Sequence, residues 1–321
     1  MVFTFRATVG FSTALVAGLY LIAAQALPAE RDVSQLIAEG GQLSLNGDQQ
    51  GALARFEKAL QEAPRSFEAY LGLGTTLDLL GRYSEAQRQI RKSIDVAPNA
   101  DAKTQAARAM AVSYAFECKP AEAAKYEKQI FDSHLAAQNY TSAGETGNEL
   151  ARIYLECGQL DQAYDWYQNA YNTALKGPDI SAHDKDLWGF RWESGQLRIS
   201  ARRGAKQIAE KEAAAAKSFV DRLHNPQQEA FLPYLAAYIN FHAADYRQAI
   251  QNLQKANQKD LFVLELLARA YEKAGQRSSA ADACREILQV NVHNVANAFA
   301  RPTAKRILAK ETTNSGARSA H

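Results

Sequence analysis

The chain has 321 residues, 47% hydrophobic and 22% charged, a balance that excludes a disordered or fibrous protein and leaves room for a continuous core. A formal net charge of +2 is too close to zero to draw in nucleic acid or an acidic substrate by its field alone. Abundant Ala, Leu, Gln, Glu and Arg, with only eight prolines and few β-branched runs, argue against sheets and predict an all-helical chain.

No charged residue falls between Arg6 and Glu30, and the apolar stretch from Val9 to Ile22 ends at the small-x-small triplet Ala24-Gln25-Ala26. This pattern predicts a signal peptide over residues 1–26, cleaved to leave Leu27 at the mature N-terminus of an exported, periplasmic or secreted protein. The alternative is an uncleaved membrane anchor, because the uncharged run is just long enough to cross a bilayer; Ser12, Thr13 and Gly18 make it a poor one.

The next stretch repeats itself. Shifted by 34 residues, Gly40 falls on Gly74, Leu43 on Leu77, Gly47 on Gly81, Ala52 on Ala86 and Pro64 on Pro98. Tyr70, Leu73, Gly74 and Leu77 share one helical stripe, Gly81 stops that helix, and Ala86, Ile90, Ser93 and Ile94 of a second helix face back onto the first. A lone hairpin of this kind cannot bury its apolar face and has to stack on neighbours.

These residues resemble a tetratricopeptide repeat, with Tyr70, Leu73-Gly74 and Leu77 in the first helix, Ala86 and Ile90 in the second, and Pro98 at the end. The resemblance continues down the chain. Repeats begin at Asp32 and Arg65, a third near Thr104 carries Met110, Ala111, Tyr114 and Ala123, and a fourth carries Leu150-Ala151, Tyr154, Gly158, Ala163 and Tyr167. Spacing widens towards forty, with His134 to Gly144 and Lys176 to Asp184 expected as extended links. Leu187 to Arg203 is the weakest unit; Trp188, Trp192 and Ile199 lie on one side of it and Phe190, Leu197 and Ala201 on the other, as in a sandwiched helix. A sixth unit spans Ala230 to Asp260 and a seventh Leu261 to Val292.

The resemblance implies an all-α fold, a right-handed superhelical solenoid of stacked antiparallel helix hairpins over residues 27–292. Residues 293–310, with Arg301, Lys305, Arg306 and Lys310, are expected to form a capping helix with a polar outer face, and residues 311–321 a disordered tail. Cys118, Cys157 and Cys284 are an odd set. Cys118 and Cys157 both fall near inter-helix turns of successive repeats, but a helix-packing distance of about 8–10 Å argues against a bridge. Cys284 reads as a small buried hydrophobe.

No H-E-x-x-H, G-x-S-x-G or phosphate-binding glycine loop occurs, and the six histidines form no i, i+4 pair. The expectation is a non-catalytic protein-interaction scaffold without cofactor, metal or small-molecule substrate, and with a membrane partner only if the N-terminal segment is uncleaved. A membrane-tethered assembly factor is the alternative reading. A nucleic-acid reader built of similar helical pairs is disfavoured by the near-neutral charge and irregular repeat length. Family members that grip a C-terminal carboxylate use Lys and Asn on the first helices; here Ile37, Gly41 and Thr75 stand in such places, so that activity does not carry over.

First helices of such a solenoid line a concave groove. Phe231, Tyr234, Tyr238 and Phe241 form one stripe of the sixth unit, and Ala236, Ala237 and Asn240 another that matches the interior of the other units. The aromatic stripe, with His242 beside it, is therefore expected to face the groove, rimmed by Arg152, Arg191, Arg198, Arg202 and Arg269. Such a patch suits an acidic segment with an apolar anchor.

Overall fold

Gly47, Gly81, Gly158 and Gly275 have φ of 89°, 90°, 78° and 75°, the left-handed backbone that ends a helix cheaply only where Cβ is missing. The four turns close the first helices of four repeats, as their shared phase in the sequence predicts. The computed structural model describes residues 28–318, with side chains over 32–311; the expected signal peptide lies outside the described residues. No described helix is long and apolar enough to cross a membrane.

Among the described residues the chain forms seven successive helical hairpins. They are α1 (Pro28–Leu45) with α2 (Gln49–Glu62), α3 (Phe67–Leu80) with α4 (Tyr83–Val96), α5 (Ala100–Phe116) with α6 (Pro120–Ala136), and α7 (Tyr140–Glu156) with α8 (Leu160–Ala174). Then follow α9 (Ala182–Arg202) with α10 (Lys206–Leu223), a short α11 (Pro226–Glu229), α12 (Leu232–His242) with α13 (Tyr246–Leu253), and α14 (Leu261–Lys273) with α15 (Arg277–Gln289). A last helix, α16, runs over Val295–Arg318. The two helices of each hairpin pack on one another and successive hairpins stack, giving a tetratricopeptide-like solenoid.

Local chemistry sets these boundaries. Side chains of Asp48, Ser66, Asn99, Asn139 and Ser181 cap α2, α3, α5, α7 and α9 by accepting from an orphan backbone N–H of the first turn. Within a hairpin, small residues permit close approach: a Cβ added at Gly74 would meet Ile90 Cγ1 at 2.5 Å and the Ala86 carbonyl oxygen at 3.2 Å. The expected link from His134 to Gly144 is corrected. Helices α6 and α7 have 17 residues each, against 14 in α3 and α4, so the wider spacing comes there from longer helices and only a short turn joins them.

The C-terminal segment departs from expectation in part. Helix α16 keeps Lys305, Arg306 and Lys310 exposed as a polar outer face, but it turns Arg301 inward and packs against α5, α7, α14 and α15. Arg301 is buried and donates through Nε to the Leu79 carbonyl at 2.9 Å and through Nη1 to the Val290 carbonyl at 3.1 Å. Lys305 Nζ reaches the Leu79 and Leu80 carbonyls, each at 3.3 Å, at the open end of α3. Basic side chains at a helix C-terminus satisfy its orphan carbonyls and favour its negative dipole end. Ahead of α16, Asn291 meets Gln49 at 3.2 Å, so the last repeat closes onto the first. The helix also continues past Lys310 to Arg318, where a disordered tail was expected; once nucleated on packed turns, each further residue adds a hydrogen bond.

Cys118 and Cys157 form a disulfide with Cα atoms 5.5 Å apart, contrary to the expected separation. The packing distance applies to helix axes, whereas Cα atoms sit about 2.3 Å off axis and can face one another. Cys284 is free and buried.

Candidate functional site

The inner helices meet over a buried cluster of charge and aromatic rings. Glu156, in the last turn of α7, pairs with Arg152 one turn earlier at 2.7 Å and with Arg202 of α9. Arg202 Nε donates to the Tyr238 hydroxyl, and Arg152 Nη2 donates to the Tyr234 hydroxyl at 2.9 Å. The Arg152 guanidinium lies 3.6 Å from the centre of the Phe262 ring, and that of Arg269 lies 4.7 Å from the Phe241 ring while pairing with Glu265 at 3.3 Å. Planar guanidinium groups suit this setting because they stack on rings and bond in plane at once.

Burial opposes the Glu156 charge, but Arg152, Arg202 and Arg269 outweigh it and hold the carboxyl below its ordinary range. Burial pushes the hydroxyls of Tyr167, Tyr234 and Tyr238 above theirs. His242 packs on the Tyr238 and Phe241 rings, and burial, followed by Arg202 and Arg269, lowers its pKa to about 4.

Tyr234, Tyr238 and Phe241 of the aromatic stripe therefore do not face an open groove. Tyr234, Tyr238 and Phe241 are only 1%, 2% and 7% exposed, and Ala236 and Asn240 of the small stripe are the less buried side. Helix α12 is buried on both faces: α9, α13 and α14 all pack against it, and two of the arginines expected at the rim, Arg202 and Arg269, lie over its rings. Arg202, Arg269, Tyr234, Tyr238, Phe241 and His242 are thus a buried assembly.

Beside this cluster opens a cleft of about 520 Å³. Helix α7 contributes Glu145, Asn148, Glu149 and Arg152, and α9 contributes Phe190, Arg191, Ser194 and Arg198. Gln227, Gln228, Phe231, Tyr167, Phe262 and Val295 complete the lining. Of the residues singled out in the sequence, Arg152, Arg191, Arg198 and Phe231 come together here. Arg191 pairs with Glu145 at 3.7 Å and stacks on Trp188, while Glu149 lies 3.9 Å from Arg108. Burial raises the pKa of Glu149.

Sequence reasoning overlooked the acidic wall and Ser194, although the spacing carried a signal. Glu145, Glu149 and Arg152 are separated by four and three residues, and Arg191, Ser194 and Arg198 by three and four, which gives two polar stripes on neighbouring first helices.

Family models described as tetratricopeptide repeat match residues 43–111 and 148–181. A tetratricopeptide repeat-containing protein of Methanocaldococcus jannaschii is 25% identical over 249 residues, 76% of this chain, and the chain spans 40% of that relative's length. In fold, the chain is similar to the crystal structure of a tetratricopeptide repeat protein from Parabacteroides merdae, with 13% identity, 86% of this chain and 99% of that one covered, and a TM-score of 0.51.

Proposed function

Because the chain is a tetratricopeptide repeat protein, we propose that it is an exported, non-catalytic scaffold that takes a segment of a partner protein in the cleft between α7, α9 and α11. The carrying observation is the cleft itself, where first helices of successive repeats bring Phe190, Phe231 and Phe262 together with Arg152, Arg191 and Arg198. Concave sites with aromatic walls and a few fixed polar groups are where binding energy concentrates. The Cys118–Cys157 bridge supports export, since such bonds persist in oxidising compartments. The uncharged run from residue 7 to 29 keeps a tethered assembly factor as the second reading.

A photo-cross-linking amino acid at Phe231 in cells, with a second at exposed Lys217 of α10, tests the site. Adducts at Phe231 alone are expected; adducts at Lys217 alone would overturn the cleft as the binding surface. The intact mass of the native protein separates the two N-terminal readings: a chain starting at Leu27 is exported and cleaved, one retaining Met1 is tethered.

A further inference from the structure

Arg198 stands apart from the other charged residues of the cleft. Arg152 has Glu156, Arg191 has Glu145, and Glu149 has Arg108, but no carboxylate among the described residues lies within ion-pair distance of Arg198. It is only 5% exposed and lines the cleft. Its Nε donates to the Ser194 carbonyl at 2.9 Å and its Nη2 to the Tyr167 hydroxyl at 3.1 Å, which fixes the guanidinium plane and leaves Nη1 with no acceptor among the described residues. A buried cation lacking a counter-ion is unfavourable, and the deficit disappears when an anion arrives.

A second, independent feature points the same way. Ser194, one turn before Arg198 and 3% exposed, has an Oγ without a hydrogen-bond partner, and so does Gln228 Oε1 on α11. Both residues line the cleft. Donors and adaptable polar groups left unpaired in one concavity are the arrangement of a site awaiting a polar ligand.

Resting on the reading of the cleft as a partner site, we propose that Arg198 anchors a subsite for the side-chain carboxylate of an Asp or Glu within the partner segment, with apolar neighbours of that residue lying on Phe190, Phe231 and Phe262. A carboxylate matches the free edge of one guanidinium, whereas a doubly charged phosphate would meet the Glu145 and Glu149 wall of α7. The apolar walls come from separate elements, Phe190 on α9, Phe231 at the start of α12 and Phe262 on α14, so residues on both sides of the acidic one find contacts.

The probe is the pentapeptide Gly-Phe-Glu-Phe-Gly, acetylated and amidated, titrated calorimetrically against the mature chain. It is compared with its Gln analogue, the Gln analogue bearing a free C-terminal carboxylate, and a phosphoserine analogue. The Glu peptide is expected to bind the wild type at least about tenfold more tightly than the Gln analogue. Arg198→Gln should erase the difference and Arg198→Lys keep part of it. The wild-type comparison stands even if a variant fails to fold. Equal Glu and Gln affinities, no saturation by about 5 mM, or discrimination that survives in a folded Arg198→Gln chain would overturn the subsite. Tighter binding of the free-terminus or phosphoserine analogue would replace the side-chain carboxylate by that group. Cross-links at Phe231 without Glu preference leave the scaffold reading standing and sink only the subsite. Glu preference without cross-links at Phe231 does the reverse.

Discussion

Asp78 of α3 and His293, 215 positions apart in the chain, meet with Oδ2 and Nε2 separated by 2.9 Å. Asp78 also accepts from the Ser113 hydroxyl at 2.9 Å, and burial raises its pKa despite the opposing pull of His293. This contact belongs to a seam in which the segment leading into α16 closes the solenoid onto its first three repeats.

Arg301 carries much of that seam. Arg301→Met should lower stability by about 2–3 kcal/mol, because carbonyls of Leu79 and Val290 lose a charged donor while staying buried. Urea unfolding with an unchanged slope and a lower midpoint is the expected record; an unchanged midpoint would show the seam to be incidental.

Glu127 of α6 is fully buried and neither carboxylate oxygen has a partner. Burial, then neighbouring Glu149, pushes its pKa well above 4.5, with Arg108 opposing. The folded chain therefore holds this proton more tightly than the unfolded chain does. Its contribution to stability is complete below the unfolded value and is lost as pH rises through the folded one. Glu127→Gln should be nearly neutral at pH 4 and stabilise by about 1–3 kcal/mol at pH 8. A substitution effect independent of pH would contradict the assignment.

The bridge between Cys118 and Cys157 closes a loop spanning a sequence separation of 39. Reduction should destabilise the fold by about 4 kcal/mol on loop-closure grounds. Thiol titration of the unfolded, unreduced protein should find a single reactive cysteine, Cys284; three would mean that the bridge does not form in solution.

Ala86 and Ala163 are wholly buried where the second helix of a hairpin meets the first. Ala86→Arg and Ala163→Arg should each cost several kcal/mol, since overpacking alone costs about 1–3 kcal/mol before a charge is buried. Melting temperatures within a degree of wild type would contradict this packing.

Tyr238 and Arg198 are both buried, so replacing them together by alanine should depress the melting temperature strongly rather than remove binding alone. A double variant as stable as wild type would place both side chains on an open surface.

The sequence by itself determined the hairpins, their glycine turns and their small-residue seams, because each arises from contacts within one repeat. The phase of Gly47, Gly81, Gly158 and Gly275 repeats locally and needs no knowledge of distant residues. Periodicity also found the two apolar faces of α9. It could not choose between the two stripes of α12, because a helix enclosed by neighbours buries both and the spacing of residues is silent on what covers them. Only the tertiary structure decided that Tyr234 and Tyr238 lie under Arg152 and Arg202, that Arg198 is left without a counter-ion at a cleft, and that Arg301 turns inward to the end of α3. Each depends on curvature summed over several repeats, which brings together residues tens to hundreds of positions apart, and no local pattern encodes that sum.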